Sequence, residues 1–296
     1  MNEPPLLAII LNWRQPALTI ECVKTLQQST YPNLKIMVID NGSGDESVSV
    51  FQQSLPDTII VPLPENLGFA RGCNIGLRWA QEHEYKWALL LNNDAFVTPT
   101  MVEQLMAETA ADIGLLSPKI FYQAQPEYIW FAGAAQHPRL LEMRETGQGE
   151  RDGSKWQKTR DVDYLVGTSL LVNVTAVSPI GLFDEKYFMY YEDLDWSIRL
   201  RQAGLRLRLV ANAHVYHQVS FSSGGQSSPS QLYHQAKSSA IFFYLHAQEG
   251  QPLLILLFRS GSALKKIGRL LWQRQISTLL AYIKGLQDGW HIIKKG

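Results

Sequence analysis

Three distant segments of the chain carry residue types that could bind a metal ion and remove a proton. Residues 89–94 are an apolar run followed by two asparagines and the carboxylate of Asp94, and residues 190–196 combine three acids with aromatic side chains. Residues 214–217 add two histidines. A carboxylate at a strand end, an acidic cluster and a histidine could together form a divalent-metal site with a general base beside it. This combination suggests sugar transfer from a nucleotide donor.

The motif at residues 92–94 follows five apolar residues and supplies the first candidate metal ligand, Asp94. A carboxylate beside a buried strand loses solvation unless a partner compensates for the loss. Mg²⁺ or Mn²⁺ bridging to a diphosphate would do so, because such hard ions prefer oxygen ligands and take only some of them from the protein. The structural alternative is an Asx turn or a helix N-cap before Thr98 and Pro99.

His217 is the second candidate metal ligand. It lies at the end of a predicted strand over residues 205–219, before a Ser/Gly loop over residues 222–230. Neutral imidazole binds transition metals, so a ligand at this position would favour Mn²⁺ over Mg²⁺. His214 is the second choice, and an ordinary partly buried histidine is the alternative for both residues.

Glu192, Asp193 and Asp195 begin a predicted helix over residues 191–203. The helix dipole favours acids in any first turn, which is the structural alternative. The functional hypothesis makes Asp193 the base that removes the proton from an acceptor hydroxyl. The helix N-terminus would keep its carboxylate ionised, whereas burial would raise its pKa. We expect Glu192 and Trp196 on the acceptor side, because aromatic surroundings suit stacking against a sugar.

Two glycine-containing segments are candidates for donor binding. Residues 40–45 predict a turn in which Asp40 could accept hydrogen bonds from a nucleobase or ribose, although a turn before a capped helix explains them as well. Residues 66–76 begin a helix whose glycines are spaced by four. This is not the dinucleotide-binding pattern, which weakens a dehydrogenase hypothesis. Arg71 could contact a phosphate or base through its guanidinium group, and tight helix–sheet packing is the alternative role of the glycines.

Strand-like and helix-like segments alternate over residues 1–120. Continuous apolar runs such as residues 6–11 predict strands that are buried on both faces. The alternation predicts an α/β fold with a mostly parallel central sheet flanked by helices. Ligands of such sheets bind beyond the carboxyl ends of the strands, where Asn12, Asp40 and residues 92–94 are expected. The predicted strands cover residues 6–11, 34–39, 58–63, 86–91, 164–172 and 205–219, and the predicted helices cover residues 16–28, 45–55, 68–82, 99–110 and 191–203.

Composition limits the class of protein. The formal net charge is zero, so no overall field attracts nucleic acid. The two cysteines and the lack of a signal-peptide pattern favour the cytoplasm. No apolar run approaches the roughly 20 residues of a membrane span.

The pattern along the chain predicts two parts. We expect a catalytic domain over residues 1–248, with a nucleotide-binding half over residues 1–120 and an acceptor half over residues 121–248. Within the acceptor half, residues 136–163 are polar and Gly-rich, and we expect them to form a loop over the acceptor site. Residues 249–296 form a separate tail.

The tail is basic and amphipathic, with eight Lys or Arg residues against two acids from residue 249 onward. Its apolar residues fall near one helical face, and Trp272 and Trp290 could act as anchors at an interface. One or two helices packed on the catalytic domain are the structural alternative. The other hypothesis is a peripheral helix on the anionic inner face of the cell membrane, which would suit a lipid-linked acceptor.

Seven stretches in this order resemble the family 2 glycosyltransferases with the GT-A fold, in particular bacterial rhamnosyltransferase-like members that build cell-surface polysaccharide. They are residues 10–13, 38–43, 65–76, 89–94, 181–185, 190–199 and 217–225. The resemblance implies an inverting transfer of rhamnose or another hexose from a nucleotide-diphosphate sugar. The acceptor would be a hydroxyl of a glycan or a lipid-linked sugar, and a divalent cation would assist.

The resemblance also implies roles for individual residues. Asp40 matches the acid that contacts the nucleobase, and Asp94 matches the metal ligand of the DXD-type motif. Asp193 matches the catalytic base, and His217 matches a late metal-binding histidine. The chain departs from the pattern at Cys73, where many members carry Arg or Asn, and its DXD-type motif keeps only the last acid. The expected donor-binding residues are Asn12, Asp40, Asn66, Arg71, Asn74, Asn92 and Asn93.

Two other functions share parts of this pattern. A sugar nucleotidyltransferase would need a Gly-rich, cationic loop after the first strand, whereas residues 12–16 contain no glycine. A nucleotide-sugar-binding protein without catalytic activity is compatible with the single acid of residues 92–94.

Overall fold

The computed structural model describes residues 3–218 and 228–295 of the chain. Within these residues the strands are β1 (Leu6–Asn12), β2 (Leu34–Asp40), β3 (Ile59–Pro62), β4 (Trp87–Asn92), β5 (Ala95–Val97), β6 (Ile113–Tyr122), β7 (Gln125–Phe131), β8 (Ala134–Gln136), β9 (Met143–Glu145), β10 (Arg160–Val162), β11 (Ser169–Asn173) and β12 (Arg206–His217). The α-helices are α1 (Pro16–Gln27), α2 (Ser47–Ser54), α3 (Gly68–Glu82), α4 (Met101–Ala107), α5 (Val174–Val177), α6 (Glu192–Gln202), α7 (Pro229–Leu245), α8 (Pro252–Trp272) and α9 (Ile276–Lys295).

Ten strands form one central sheet in the order β10-β12-β6-β11-β4-β1-β2-β3, with β5 beside β12 and β7 beside β6. Strands β4, β1, β2 and β3 are parallel to their neighbours within this group. The apolar residues of β1 and β4 are almost completely buried, as expected for strands that are covered on both faces. This half confirms the α/β arrangement predicted from the alternating segments.

The other half of the sheet is mixed, which corrects the expectation of a mostly parallel sheet. Strand β11 is antiparallel to both β4 and β6, and β12 is antiparallel to β5 and β10. Strands β12 and β6 are parallel to each other. The sequence did not reveal this half because an apolar run shows that a strand is buried but carries no information about its direction. Strands β6 and β7 were not predicted at all.

Residues 136–163 are more ordered than the expected loop. They contain β9 and β10, and β9 pairs with β8 in a small hairpin. The completely buried ammonium group of Lys119 donates to both carboxylate oxygens of Asp152 at 2.8 and 3.0 Å and to the Trp156 carbonyl at 3.2 Å. A buried lysine is stable only when it is paired in this way, so Lys119 anchors the insertion to the sheet.

The carboxyl ends of β1, β2 and β4 lie side by side. Asn12 is in register with Asp40, and Leu11 is in register with Asn92. The polar residues that end these strands therefore meet at one edge of the sheet, as predicted. We call this the carboxyl edge.

Helix α3 packs closely on the parallel strands through its glycines. A Cβ atom at Gly72 would lie 2.6 Å from a methyl carbon of Leu11, and one at Gly76 would lie 2.5 Å from Cγ2 of Ile9. Real Cβ atoms do not approach other atoms this closely, so a methyl group at either position would have to displace the side chain of Leu11 or Ile9. The structure thus supports helix–sheet packing as the role of the regular glycine spacing.

The C-terminal part of the described chain is helical, which confirms the predicted helical tail. Helix α7 was not predicted; the Ser/Gly loop expected over residues 222–230 falls largely on residues 219–227, which lie outside the described residues. Helix α9 packs along α7, whereas α8 buries few side chains. None of the helices described is both long and apolar enough to cross a lipid bilayer.

Candidate active site

Two consecutive tyrosines with unusual backbone angles precede α6. Tyr190 and Tyr191 have φ angles of 67° and 70°, in the left-handed region that residues other than glycine rarely adopt. Each such residue costs about 1–3 kcal/mol, which surrounding contacts must offset. The ring of Tyr191 packs against Phe242 and Phe243 of α7 at centroid distances of 5.3 and 6.1 Å. This supported turn sets the direction in which α6 starts.

The carboxylate of Asp193, in the first turn of α6, accepts three hydrogen bonds. Its Oδ2 atom accepts one from the Tyr164 hydroxyl at 2.9 Å and one from the Gly167 N–H at 2.8 Å, and Oδ1 accepts one from the Leu194 N–H at 2.8 Å. Burial raises the pKa of Asp193, and hydrogen bonds that favour the carboxylate oppose this increase. A carboxyl group under these opposed influences is suited to accept a proton near neutral pH.

Glu192 is buried beside Asp193, and its Oε2 atom has no hydrogen-bond partner in the described part of the chain. Burial, followed by the charge of Asp193, raises the pKa of Glu192 well above its ordinary range. Two adjacent buried carboxyl groups do not both ionise readily, so Glu192 favours the protonated form and Asp193 carries the charge.

The expectation that Glu192 and Trp196 face the acceptor is wrong. Glu192 is 6% exposed and Trp196 has no exposed surface. The indole N–H of Trp196 donates to the Gly181 carbonyl at 2.9 Å, and its ring packs against Phe183 at a centroid distance of 4.5 Å. The aromatic residue next to the acids therefore belongs to the core that supports α6.

Asp94 and His217 form a close, buried pair. The Nε2 atom of His217 lies 3.2 Å from Oδ1 of Asp94, and the two side chains are almost completely buried. Strand pairing brings them together, because β5 runs antiparallel to β12 with Ala95 in register with His217. The N–H of Gln218 also donates to the Asp94 carbonyl at 2.9 Å.

The pair has the features of two ligands for one cation. Oδ1 of Asp94 makes no hydrogen bond within the described residues, although His217 is so near. Adjacent ligands of an octahedral ion lie about 3 Å apart when each is about 2.1 Å from the metal. Among the residues described, no third His, Cys, Asp or Glu joins this pair to complete a metal cluster. Mg²⁺ and Mn²⁺ fit such a site, because substrate phosphates and water commonly supply their remaining ligands.

His214, the second choice for a metal ligand, has a different environment. Its Nε2 atom lies 3.1 Å from the Ala211 carbonyl, and its ring contacts the edge of Phe121 at a centroid distance of 5.1 Å. Burial, followed by the charge of Lys119, lowers the pKa of His214. These contacts assign His214 to the packing of β12.

Asn12 supports Asp40 at the carboxyl edge. Nδ2 of Asn12 donates to Oδ1 of Asp40 at 2.7 Å, and Oδ1 of Asn12 accepts a hydrogen bond from the Thr19 hydroxyl at 2.8 Å. Ser43 donates its hydroxyl and its N–H to the same carboxylate at 2.5 and 3.1 Å. Asn12 has no exposed surface. Asn12 therefore orients Asp40 and cannot itself contact a nucleotide-sugar donor.

Asn41, which was not predicted as a site residue from the sequence, fixes the segment that leads into α3. Its Nδ2 atom donates to Oδ1 of Asn66 and to the Gly68 carbonyl, each at 3.1 Å, and its Oδ1 atom accepts a hydrogen bond from the Leu67 N–H at 3.0 Å. Asn66 is half-buried in this segment. The signal for Asn41 was its place directly after Asp40 at the end of β2.

Asn74 and Arg71, both expected to bind the donor, differ in exposure. Asn74 is buried, and its amide group donates to the Phe183 carbonyl at 2.9 Å and accepts from the Phe183 N–H at 3.1 Å. It connects α3 to the segment before α6 and is not free to bind a ligand. The side chain of Arg71 is 53% exposed, with Nε 3.2 Å from Oε2 of Glu185. Arg71 therefore keeps N–H groups of its guanidinium at the surface.

The candidate base and the metal-binding pair lie at the same edge of the sheet. The N–H of Asn92 donates to the Thr168 carbonyl at 2.9 Å, and the neighbouring Gly167 holds Asp193. The segment before β11 thus connects the end of β4 with the start of α6. Asp94 follows Asn92 by two residues. The structure therefore brings positions 94, 193 and 217, predicted from three distant segments, to the carboxyl edge.

Asn93 and two further residues complete the surroundings of the site. Nδ2 of Asn93 donates to the Thr19 hydroxyl at 3.1 Å, which fixes the turn before Asp94. Tyr164 and Glu145 were not predicted. Burial, followed by the charge of Asp193, raises the pKa of Glu145, so the insertion that carries β9 reaches the neighbourhood of the base. No sequence motif links these residues to Asp193, because their proximity arises only from folding.

Comparison with known proteins identifies the family. The profile described as Glycosyl transferase family 2 matches residues 8–160, and that of Glycosyl transferase family group 2 matches residues 87–283. An N-acetylglucosaminyl-diphospho-decaprenol L-rhamnosyltransferase of Mycobacterium tuberculosis is 28% identical over 247 residues, which cover 74% of this chain and 77% of that protein.

Two solved structures show the same fold. GalNAc-T7 with UDP, GalNAc and Mn²⁺ has a TM-score of 0.62 at 15% identity, and the match covers 84% of this chain. This chain spans about half, 51%, of that structure. The mannosyltransferase PcManGT from Pyrobaculum calidifontis, in complex with GDP-Man and Mn²⁺, has a TM-score of 0.57 at 15% identity, covering 98% of this chain and 76% of that one.

The fold and the matches define a glycosyltransferase of the GT-A type. The chain belongs to glycosyl transferase family 2 and is a rhamnosyltransferase-like member of it.

Proposed function

We propose that this glycosyltransferase inverts configuration and depends on a divalent cation. It would move rhamnose or another hexose from a nucleoside diphosphate to a hydroxyl of a glycan or lipid-linked acceptor. The observation that carries the proposal is the carboxylate of Asp193, held by three hydrogen bonds at the same sheet edge as Asp94 and His217.

Asp193 would take the proton of the acceptor hydroxyl while that oxygen forms its bond to the anomeric carbon. The bond from the anomeric carbon to the diphosphate breaks in the same step, and its electron pair leaves with the nucleoside diphosphate. Attack from the face opposite the leaving group inverts the anomeric configuration and needs no enzyme nucleophile. Glu192 favours its protonated form, which leaves Asp193 as the group that accepts the proton.

The cofactor that fits this site is Mn²⁺ or Mg²⁺. Oδ1 of Asp94 and Nε2 of His217 would hold the ion, and oxygens of the donor diphosphate and water would complete its ligands. When bound, the ion would offset the negative charge that develops on the leaving diphosphate. The imidazole ligand favours Mn²⁺.

Residues around the carboxyl edge would bind the nucleotide part of the donor in two ways. Direct contacts would come from Asn66, Arg71, Asn92 and Asn93. Asn12, Asp40 and Asn74 would act indirectly, because all three are buried and their polar groups bind other parts of the protein.

The proposed nature of the acceptor rests on the rhamnosyltransferase of Mycobacterium tuberculosis. Its name places an N-acetylglucosaminyl-diphospho-decaprenol, a lipid-linked sugar, on the accepting side. We infer that the present chain also serves cell-envelope polysaccharide synthesis, in the cytoplasm at the inner face of the membrane. Residues 1–248 would form the catalytic unit, with residues 249–296 as an accessory tail.

The decisive experiment separates donor binding from turnover in the variant Asp193→Asn. A thermal-shift screen of nucleotide sugars with Mn²⁺ first identifies the donor, because a ligand of the native state raises its melting temperature. Release of nucleoside diphosphate is then measured with and without a hydroxyl acceptor. We expect Asp193→Asn to keep the donor-induced thermal shift and to lose turnover by about 100-fold or more.

The matched control is Asp57→Asn, which makes the same chemical change at an exposed residue after α2 and should turn over as the wild type does. Near-normal turnover in Asp193→Asn would remove Asp193 as the base. Donor binding without any turnover by the wild-type protein would instead indicate a nucleotide-sugar-binding protein.

A further inference from the structure

The exposed apolar surface of the protein is concentrated in one region. Among the described residues, the large apolar side chains that are exposed lie between Tyr244 and Trp290, apart from Trp13. Most of them belong to α8, where Leu264 and Trp272 are 69% and 84% exposed. Exposed apolar side chains concentrated on one helix in this way mark an interaction site.

One side of α8 carries a row of exposed leucines, which we call the leucine stripe. Its members are Leu253, Leu257, Leu264 and Leu271. Spacings of four and seven residues return to the same side of a helix, so these four side chains point the same way. The side chains that α8 buries, Ile255 and Leu270, lie on the opposite side.

Two exposed cations lie farther round α8 from the leucine stripe. Lys265 and Arg269 are one helical turn apart, and helical spacing places them about 100° and about 140° around the helix from Leu264. Helix α8 contains four Lys or Arg residues and no acid. Arg259 has a structural role, because it donates to the Ser239 hydroxyl at 2.6 Å and lies 4.3 Å from the centre of the Phe243 ring. The exposed surface of α8 is therefore both apolar and cationic.

Helix α9 attaches the α8–α9 pair to the catalytic domain. A Cβ atom at Gly289 would lie 2.6 Å from the Lys237 carbonyl oxygen in α7, so the two helices are in close contact. The Tyr233 hydroxyl of α7 also donates to Asp288 of α9 at 2.7 Å. Because α9 provides the attachment, α8 is held on the domain with its leucine stripe exposed.

We propose that α8 lies in the plane of an anionic lipid bilayer. The leucine stripe would enter the boundary between headgroups and acyl chains, and Lys265 and Arg269 would contact lipid phosphates. Lipid binding at this surface is a function separate from sugar transfer, and it does not depend on the chemistry of Asp193. The membrane hypothesis from the sequence covered the whole tail, residues 249–296. The present proposal assigns the lipid contact to one face of α8.

A second copy of the chain fits this surface less well than a bilayer does. Two copies that joined through the leucine stripe would bring the cations of both α8 helices together, and like charges repel each other. Anionic headgroups instead neutralise these cations while the acyl boundary covers the leucines.

The test is flotation of the full-length protein with two kinds of vesicle: phosphatidylcholine alone, and phosphatidylcholine mixed with phosphatidylglycerol. One variant removes apolar contact, Leu257→Asp with Leu264→Asp. A second reverses the charge, Lys265→Glu with Arg269→Glu. The control, Lys24→Glu with Lys35→Glu, makes the same charge change on exposed residues of the nucleotide-binding half. Thermal melting shows that each variant is folded.

We expect the wild type and the control to float with the mixed vesicles and to be released by salt. For both α8 variants, the partition coefficient onto the mixed vesicles should fall by about tenfold or more. Equal flotation of all four proteins, or no flotation of the wild type with the mixed vesicles, would overturn the proposal. A wild-type dimer in sedimentation that Leu257→Asp with Leu264→Asp dissociates would instead assign this face to a second copy. None of these measurements depends on activity.

Discussion

The hydroxyl of Tyr164 donates a hydrogen bond of 2.9 Å to Oδ2 of Asp193. Tyr164 lies between β10 and β11, so the segment that joins these two strands orients a carboxylate at the start of α6. Burial, followed by the charge of Asp193, raises the pKa of Tyr164 well above its ordinary range, which keeps the phenol protonated as a donor. The bond favours the ionised form of Asp193 and so opposes the effect of burial.

The substitution Tyr164→Phe should shift the pH dependence of transfer. Removal of a hydrogen bond that favours the carboxylate raises the pKa of Asp193, so the acidic limb of the profile of kcat/KM should move to higher pH by about one unit. The measurement is kcat/KM over about pH 5 to about pH 9, on both sides of the neutral pH at which a catalytic base works best. Tyr85→Phe, at a tyrosine whose ring centroid lies 5.9 Å from that of Trp79, is the matched control. An acidic limb at the same pH in Tyr164→Phe and the wild type would contradict this role.

The substitution Glu192→Gln should stabilise the protein in a way that depends on pH. The ordinary pKa of Glu192 is 4.5, and the folded protein raises it. The stability contributed by protonated Glu192 is thus fully present below pH 4.5 and is lost as the pH rises through the folded pKa. Glutamine does not ionise, so the variant should melt increasingly above the wild type as the pH rises from 4.5.

Thermal melting from acidic to mildly alkaline pH checks this prediction. The control is Glu82→Gln, which neutralises an exposed carboxylate at the end of α3 and should show no such trend. A melting-temperature difference between Glu192→Gln and the wild type that stays constant across the pH range would show that Glu192 is not held in the protonated form.

The substitution Gly76→Ala should destabilise the fold by about 1–3 kcal/mol, because the new methyl group would overpack the contact between α3 and β1. Its Cβ atom would lie 2.5 Å from Cγ2 of Ile9. Gly268→Ala on α8 is the control, since a Cβ atom there would meet no heavy atom of a described residue within 4 Å. The free energy of unfolding of Gly268→Ala should rise by up to about 1 kcal/mol, because alanine has a higher helix propensity than glycine. Equal unfolding free energies of the two variants in denaturant titrations would refute the packing role of Gly76.

The parallel half of the fold could be predicted because its strands are continuous apolar runs. The predicted strands at residues 6–11, 34–39 and 86–91 each agree with β1, β2 and β4 to within one residue at either end. Helix α7 was missed because it buries Ser238 and Ser239 among its apolar residues, so no clear amphipathic pattern marks it. The direction of β11 depends on pairing with β4 and β6, which no local pattern encodes.

The polar ends of the strands could be predicted as a site, but the burial of single side chains could not. Asp94 and His217 end segments that sheet geometry brings together, and the structure places them 3.2 Å apart. Asn12, Asn74 and Trp196 were expected to contact ligands and instead support other residues. Their burial depends on which segments fold over them, and a residue type alone does not report this.

In the proposed site, Asp94 and His217 hold a cation that binds the donor diphosphate. Isothermal titration calorimetry of the matching nucleoside diphosphate, with and without Mn²⁺, tests this site in the wild type, Asp94→Ala, His217→Ala and the control His214→Ala. We predict that Mn²⁺ strengthens binding of the nucleoside diphosphate to the wild type and to His214→Ala. In Asp94→Ala and His217→Ala, this increase in affinity should be smaller by a factor of about ten or more. The same gain from Mn²⁺ in all four proteins would contradict the proposed site.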